Sequence, residues 1–423
     1  MMLNMKYLFL FLVSGLLVRA DTVPLRAGVA HAEITPPTFM PMYGYANRKC
    51  GPANGTHDPL FAKALVLAAG DSRLAIVTLD LGSIVSDNLR RDVADKLGIP
   101  VLLLSASHTH SGPAFLERGA DQAYVAGMEQ KVFGAVRDAA ASMFPARLSV
   151  GRGSLQVGYN RLLRREDGRA RALFDNPERV PYGPVDPDFT LLSVEDAQGV
   201  PRAILVHYAC HAVVLGPTNC KYSADWPGAM IAKVESEMKG VQCMFVQGGA
   251  GDINPMAMGR SGKEEEDFVP VRKVGELMAG QVLHAAKQMQ PAGENRYPIQ
   301  SAGEILRLAD RWDKEKTVEV GITTVLINRE IAIAATSGEP MHKLQQLWKK
   351  EADVPYPLFY GYTYSSGGVW PGYIPDLRSA AYGGYGADVT THVEVGAGEK
   401  IMERHLINLY GMLGMWRDAP GKP

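Results

Sequence analysis

The sequence predicts a single large α/β domain in which helices pack on the faces of a mixed sheet. Short apolar runs, typical of buried strands, alternate with amphipathic segments of helical period through most of the 423 residues. The chain carries no internal repeat and no low-complexity linker. Its composition, 46% hydrophobic and 21% charged, suits one large globular core.

The elements are expected in an alternating order. A helix over 87–98 begins at Asp87 and ends at Gly98, between strands at 73–81 and 101–105. Other strands are predicted over 27–37, 189–195, 202–214, 241–246, 323–328 and 331–335. Other helices are predicted over 123–143, 224–238, 275–289, 341–350 and 398–416. Residues 353–396 are expected to form a long loop rich in Gly and Tyr, and loops of that length usually serve function.

The N-terminus has the pattern of a signal peptide. Lys6 precedes a short apolar stretch over 7–17, and Ala20 ends it before the expected cleavage point. We therefore predict a signal peptide over 1–20, export to the periplasm or the cell exterior, and a mature domain over 21–423. The stretch is too short to favour a stable membrane span, and no other stretch is long and apolar enough for one.

Charge and cysteine content exclude some classes of protein. A net charge of −1 gives no electrostatic footprint for nucleic acid. Cys50, Cys210, Cys220 and Cys243 allow three disulfide pairings, among which the sequence does not choose. No Cys-x-x-Cys pair is present, so a thiolate zinc site is not expected.

A His-x-His pair marks the first candidate site. His108 and His110 follow the predicted strand 101–105, and residues two apart on a strand share a face. Two imidazoles at a strand end are a good start for a zinc site, because neutral imidazole is the commonest metal ligand. A hydrogen-bonded structural pair explains the motif equally well when it is taken alone.

Three further segments bring polar groups to strand ends. His211 lies in the apolar run 205–214, where an imidazole needs a hydrogen bond or a metal, and His207 would share its face on a strand. Glu339 stands between Gly338 and Pro340, where a carboxylate can be only a helix-dipole partner. The glycine-rich turn over 247–255 contains Asn254 and lacks the Lys-Ser/Thr of a phosphate-binding loop.

Taken together, these motifs resemble the neutral (non-lysosomal) ceramidase family. The run 107–113, Asn160-Arg161, His211, the turn 250–255 and Gly338-Glu339-Pro340 occur in that family's order, and the opening 27–37 is also similar. The resemblance runs from about residue 27 to the end. It implies the fold of the family's catalytic domain, one zinc ion per chain, and cleavage of an N-acyl amide such as N-acylsphingosine by a zinc-activated water.

The resemblance also assigns residues. It implies metal ligation by His108, His211, Glu339 and Tyr373, and it gives catalytic or substrate-binding roles to His110, Arg161, Asn254 and Tyr385. Tyr373 is chosen because Ile374 follows it and Tyr385 lies twelve residues on; Tyr382 is the alternative ligand. Two His and one carboxylate with an open position form a catalytic zinc arrangement. His110 and Tyr385 would stabilise an oxyanion, and Arg161 would hold an anionic or hydroxylated part of the substrate.

Two departures from the family pattern widen the expected function. Asn254 stands where the ceramidases have a Ser, which excludes a Ser-acyl route at that position. The chain ends at Pro423, without the immunoglobulin-like domain that follows the catalytic domain in full-length ceramidases. A metal hydrolase acting on a smaller, more soluble N-acyl, ester or lactone substrate is therefore the alternative, and a non-enzymatic exported binding protein is the third hypothesis. The sequence identifies no protein partner.

Overall fold

The structure, a computed structural model, describes residues 23–116, 120–293 and 299–416. The predicted signal peptide, 1–20, lies outside these residues. The first elements in chain order are β1 Leu25–Glu33, β2 Gly55–Thr56, β3 Phe61–Ala69, β4 Ser72–Leu79, α1 Asp87–Leu97, β5 Val101–Ala106, α2 Gln122–Ala141, β6 Phe144–Ser154, β7 Gly158–Asn160, β8 Leu162–Arg164, β9 Ala170–Ala172 and β10 Asp188–Asp196.

The remaining elements are β11 Pro201–Tyr208, β12 Lys221–Tyr222, α3 Asp225–Glu237, β13 Gln242–Gln247, β14 Ile253–Pro255, α4 Glu264–Ala286, β15 Gln290–Pro291, β16 Gln300–Ala309, β17 Thr317–Ile327, β18 Ile331–Thr336, β19 Glu339–Pro340, α5 His342–Glu351, β20 Tyr356–Tyr360, β21 Thr363–Tyr364, β22 Tyr373–Ile374, α6 Leu377–Tyr382 and α7 Ala397–Met412.

Two stacked sheets form the centre of the molecule. The larger has ten strands, in the order β13-β11-β10-β6-β1-β3-β4-β5-β21, with β15 added beside β6. The smaller has the order β16-β17-β18-β20. Both are mixed, because β4 and β5, β11 and β13, and β18 and β20 pair in parallel while their neighbours are antiparallel. Apolar side chains from both sheets, such as Leu65, Met244 and Ile333, share one core between them.

The helices cover the outer faces of this pair of sheets. α1 and α2 pack on β3, β4 and β5, and α3 and α4 pack on β10, β11 and β13. α5 and α7 cover the smaller sheet on the opposite side. The mixed α/β class is therefore confirmed, and the layer order is helix, sheet, sheet, helix.

Several element boundaries differ from the prediction for identifiable reasons. β3 was missed because Phe-Ala-Lys-Ala-Leu-Val-Leu-Ala-Ala has no period-2 pattern when both of its faces are buried. α4 begins at Glu264 rather than 275, with four acidic residues in its first turn and Pro270 tolerated close behind. The predicted strand over 202–214 ends at Tyr208, so His211 lies on the loop beyond it. The loop over 353–396 contains three short strands and α6.

Cross-links hold the loops at one end of the larger sheet. Gln247, the last residue of β13, donates from Nε2 to the backbone oxygens of Ser107 and Cys210, at 3.2 and 2.9 Å. The segments that carry His108 and His211 are thereby joined. Cys50 and Cys220 form a disulfide, while the thiols of Cys210 and Cys243 are free and buried. Within the described residues, no helix has the length and apolar character needed to cross a bilayer.

Candidate metal centre

His108 is held by main-chain contacts just beyond β5. The strand ends at Ala106, and His108 adopts a left-handed backbone conformation with φ of 64°. The pleat of a strand is therefore not what orients this side chain, contrary to prediction. Its amide donates to Leu81 O at 2.9 Å, and its Nδ1 lies 2.6 Å from Gly82 O. Because a carbonyl only accepts, Nδ1 carries the proton and Nε2 presents a lone pair.

His211 is held in the same way by the opposite loop. Its Nδ1 donates to Ala250 O at 2.6 Å, and its amide donates to Ile253 O at 3.0 Å. Its Nε2 is buried and has no hydrogen-bond partner among the described residues. Burial lowers the pKa of His211 to about 4, so the ring is neutral. Both rings thus present Nε2 to the site, the orientation of a metal ligand whose Nδ1 is held by a carbonyl oxygen.

Glu339 places a carboxylate between the two imidazoles. Its Oε2 lies 3.3 Å from His108 Nε2 and 3.6 Å from His211 Nε2. That oxygen is buried and accepts no hydrogen bond from the described part of the chain. A tetrahedral zinc shell with bonds of about 2.0–2.1 Å has ligand-to-ligand edges of about 3.3 Å. The three atoms therefore fit zinc, and nothing else among the described residues satisfies Glu339 Oε2.

The charge state of Glu339 is that of a ligand as well. Burial raises its pKa, but contact with His108 and His211 outweighs burial and holds the pKa well below the ordinary value. A buried, ionised carboxylate oxygen beside two imidazole nitrogens is a suitable ligand set for a divalent cation. This arrangement of charge favours a bound divalent metal.

His110 lies beside this group and competes with Glu339 as third ligand. Its Nε2 is 3.2 Å from His108 Nε2, and one ligand atom from each of His108, His110 and His211 lies within 4.8 Å of the others. Burial and the neighbouring imidazoles lower the pKa of His110 well below its ordinary value, so this ring is neutral too. The two histidines of the motif are brought together, and either His110 or Glu339 completes a three-residue set.

Arg161 and Asn254 lie together next to the histidines. Arg161 donates from Nη1 to Asn254 Oδ1 at 3.0 Å and from Nη2 to Gly251 O at 2.7 Å. Its guanidinium carbon lies 5.3 Å from the ring centre of Tyr373 and 5.4 Å from that of Tyr385. The buried cation is thus fixed by its own contacts, and its planar face supports both tyrosines.

The structure separates the three candidate tyrosines. Tyr373 is buried on β22, whose parallel pairing with β19 sets it directly opposite Glu339. Burial raises the pKa of Tyr373 well above its ordinary value, so the phenol is neutral. Tyr385 is 36% exposed, with its ring centre 5.5 Å from that of Tyr373. Tyr382 lies elsewhere, where its hydroxyl accepts from Arg164 and Arg378.

A pocket of about 650 Å³ opens onto this group. It is lined mainly by side chains with polar atoms, including His110, Arg161, His211, Asn254, Arg260, Tyr373 and Tyr385. Its few apolar side chains include Phe174 and Val213. The volume suits a small molecule, and the lining combines polar side-chain atoms with a larger area of apolar surface, much of it from aromatic rings.

Sequence reasoning missed several residues that enclose the site. The rings of Tyr43 and Tyr45 lie 5.2 and 4.9 Å from that of His110, and Gly44 between them has φ of 99°. A Cβ on Gly44 would come within 2.3 Å of His110 Nδ1, so only glycine allows this approach. Tyr362 lies 4.5 Å from His108 between ring centres, with a buried hydroxyl that finds no partner in the described residues. Its signal was the run of tyrosines in the predicted loop 353–396.

Comparison with protein families agrees with the resemblance. Residues 25–273 match the family model described as "Neutral/alkaline non-lysosomal ceramidase, N-terminal". The neutral ceramidase of Pseudomonas aeruginosa is 29% identical over 300 residues, which cover 64% of this chain and 43% of that protein. Neutral ceramidase A of Dictyostelium discoideum is 30% identical over 186 residues, which cover 38% of this chain and 25% of the relative. The matches span less than half the length of these relatives.

Solved structures show the same fold. The crystal structure of neutral ceramidase from Pseudomonas aeruginosa superposes with a TM-score of 0.75 at 17% identity, covering 95% of this chain and 76% of that one. A structure described as a ceramidase complexed with C2 gives a TM-score of 0.74 at 16% identity, with 95% and 77% covered. At these identities the superpositions establish the fold alone.

Proposed function

Because this chain belongs to the neutral/alkaline non-lysosomal ceramidase family, we propose that it is a zinc-dependent hydrolase of N-acyl amides, with N-acylsphingosine as the reference substrate. One observation carries the proposal: the buried Nε2 of His211 and Oε2 of Glu339 have no protein partner among the described residues and lie 3.6 Å apart. Buried polar atoms are normally satisfied, so this pair of atoms indicates a cation-binding site.

Four residues would hold the metal. His108 and His211 supply Nε2, Glu339 supplies Oε2, and Tyr373 stands opposite Glu339 in the strand register as a neutral fourth donor. Zinc, when bound, supplies a Lewis acid that lowers the pKa of a water molecule to about 7. The remaining chemistry falls to side chains of the chain itself.

His110 and Tyr385 are the groups that would act on the reacting amide. His110 is neutral and half-buried at the pocket wall, so it can accept the proton released by the attacking water and pass that proton to the departing amine. Tyr385 borders the same pocket and can donate its hydroxyl hydrogen to the developing oxyanion. Arg161, fixed by Asn254 and Gly251, is positioned to orient an oxygen-bearing part of the substrate.

A second candidate substrate class is favoured by the lining of the pocket. Two arginines, Arg161 and Arg260, and several hydroxyl and amide groups surround a cup of about 650 Å³. Such groups favour binding of a substrate that carries polar groups near the scissile bond. The alternative substrate is therefore a smaller, more soluble N-acyl compound, ester or lactone, cleaved by the same residues.

Metal analysis and substrate profiling test both candidates. Purified protein should hold about one zinc per chain, and chelation should abolish hydrolysis, with recovery when zinc is restored. Rates on ceramide, on a short-chain N-acyl amine and on a matching ester then separate the two substrate classes. A metal-free protein that hydrolyses any of these substrates at an unchanged rate would disprove the proposal.

A pair of matched variants tests the two tyrosines. We expect Tyr373→Phe to weaken zinc affinity, measured by competition with a chromogenic chelator. Tyr385→Phe should leave zinc affinity unchanged and lower kcat by about 10²–10³-fold. Tyr382→Phe is the control and should change neither, because its hydroxyl lies between Arg164 and Arg378. Loss of zinc in Tyr382→Phe would reverse the assignment.

We also propose that the protein is exported. The composition of residues 1–20 and the Cys50–Cys220 disulfide both fit an oxidising compartment. N-terminal sequencing of protein secreted by an expression host should begin at residue 21. Retention of residues 1–20 on the exported protein would contradict this part of the proposal.

A further inference from the structure

A second cavity lies on the other side of the Arg161 backbone from the metal pocket. It has a volume of about 270 Å³, and none of its lining residues lines the metal pocket. Arg161 faces the metal pocket, whereas its neighbours Asn160 and Leu162 line the second cavity. Adjacent residues of an extended segment face opposite ways, so one segment separates two sites.

A buried histidine–aspartate pair lies in the wall of this cavity. His342 Nδ1 lies 2.7 Å from Asp252 Oδ2, and the His342 amide donates to Asp252 Oδ1 at 2.9 Å. Asn160 Nδ2 donates to Asp252 Oδ2 at 2.8 Å. The carboxylate is therefore well satisfied. Only 4% of the His342 side chain is exposed, and its other ring nitrogen, Nε2, is buried without a hydrogen-bond partner in the described chain.

The rim of the cavity carries unpaired positive charge. Arg164, Lys343 and Arg378 all line it, and within the described ranges none of them forms an ion pair with a carboxylate. Arg164 Nη1 and Arg378 Nε both donate to the hydroxyl of Tyr382, at 3.3 and 3.0 Å, and their guanidinium carbons lie 4.6 and 5.4 Å from the centre of that ring.

Among the described residues, two carboxylates line the cavity, and both already accept hydrogen bonds. Asp252 accepts the three hydrogen bonds described above, and Asp376 accepts from the amides of Arg378 and Ser379 and from Ser379 Oγ. Both carboxylates keep their charge, but within the described ranges neither forms an ion pair with Arg164, Lys343 or Arg378. An anion entering the cavity would meet two guanidinium groups and an ammonium group, with the His342 ring in the cavity wall.

We propose that this cavity, lined by His342, Arg164 and Arg378, binds a small oxyanion, a phosphate or carboxylate group, at a site separate from the metal pocket. Guanidinium groups form charge-assisted, often bidentate hydrogen bonds to the oxygens of carboxylate and phosphate groups, so a pair of them favours an oxyanion over a neutral ligand. The cavity volume admits a small phosphorylated or carboxylated molecule, or the head of a larger one whose remainder stays in solvent.

Calorimetric titration of the zinc-loaded full chain at low ionic strength tests this proposal. Inorganic phosphate, acetate and glycerol 3-phosphate are titrated in separate experiments. At least one should bind saturably with one site per chain, and the tightest of the three identifies whether phosphate or carboxylate is preferred. Arg164→Gln and Arg378→Gln should each weaken that binding about tenfold or more, since each removes a charge-assisted hydrogen bond.

Two controls separate this site from others. Arg91→Gln removes an exposed arginine on α1 and should leave anion binding unchanged. His211→Ala removes a proposed zinc ligand and should also leave it unchanged. Anion binding that is lost in His211→Ala but retained in Arg378→Gln would place the anion on the metal and overturn the proposal. Absence of saturable binding for all three anions would overturn it as well.

Discussion

Two buried carboxylates in this molecule each contact histidine, and they differ in how their oxygens are satisfied. Asp252 accepts from the His342 ring, the His342 amide and Asn160, all within 2.7–2.9 Å. Glu339 presents Oε2 to two imidazoles at 3.3 and 3.6 Å without a hydrogen bond to either. The first arrangement is complete within the protein, whereas the second becomes complete with a cation. The difference distinguishes a structural ion pair from a metal site more clearly than residue types do.

The largest effect on zinc content and hydrolysis is expected from substitution of His108, which contacts Glu339. His108→Ala removes a proposed ligand, so zinc content and hydrolysis should both fall to background. Elemental analysis and an amidase assay on the same preparation check this outcome. A variant that keeps zinc but loses hydrolysis would show that His108 acts on substrate instead.

His110→Ala sharpens the division of labour within the motif. We expect zinc to remain at about one ion per chain while kcat falls by about 10²–10⁴-fold, as for loss of a general acid. Measuring zinc affinity and kcat on one preparation tests both parts. Loss of zinc would instead make His110 the third ligand, as its 3.2 Å distance from His108 allows.

Matched neutral substitutions test the comparison directly. Asp252→Asn breaks a buried pair and should lower the free energy of unfolding by about 3–5 kcal/mol while zinc is retained. Glu339→Gln should lower zinc affinity strongly and cost the metal-free protein less stability than Asp252→Asn does, because Glu339 Oε2 accepts no hydrogen bond from the described chain. Urea denaturation with and without chelator measures both. Equal losses of zinc in the two variants would contradict the assignment of Asp252 to a structural ion pair and of Glu339 to the metal site.

The disulfide joins two loops that line the metal pocket, and its removal is expected to affect that pocket and not the second cavity. Cys50 and Cys220 flank residues 44–47 and 217–218, which line the metal pocket, and Arg48 donates to His110 O at 2.5 Å. Replacing both cysteines by Ser should lower the free energy of unfolding by about 2–4 kcal/mol. It should also raise KM for the hydrolysed substrate, with anion binding at the second cavity unchanged. An unaltered KM would show that the loop keeps its place without the cross-link.

The smallest effect is a pH dependence of the Asp252–His342 pair. Burial lowers the pKa of His342, but Asp252 outweighs burial and raises it, while His342 and Asn160 lower that of Asp252 despite burial. The raised histidine pKa contributes stability below the unfolded value of about 6.5, and the lowered aspartate pKa does so above about 3.9. The stability difference between parent and Asp252→Asn should therefore peak between these values and shrink as pH rises. A difference that grows above pH 7 would contradict the ion pair.

The sequence predicted the α/β class and predicted that the segments carrying His108, His211 and Glu339 meet, as they do in the structure. The local geometry that orients His108 differs from the prediction. His108 and His110 were expected to share a strand face, whereas the strand ends at Ala106 and a left-handed residue turns the motif. The order of motifs along the chain carried the prediction, and that order does not depend on local geometry. The roles of Tyr373 and Tyr385 remain predictions.

What sequence reasoning missed depends on contacts between distant residues. The stacking of two sheets follows from pairing across the whole chain, and no local period reports it. The Cys50–Cys220 bond is one of six single disulfides that four cysteines allow, and it joins residues 170 apart. His342 shows no local signal of its partner either, because Asp252 lies 90 positions earlier.

The two proposed histidine ligands are oriented by main-chain carbonyl oxygens, those of Gly82 and Ala250. Carbonyl groups are present whatever residue occupies a position, so ordinary substitutions nearby leave the ring tautomers as they are. Side chains around the pocket can therefore be substituted while the Nε2 atoms of His108 and His211 keep their orientation. A scaffold of this kind can change its substrate without rebuilding its reactive centre, which makes it a good starting point for engineering new hydrolases.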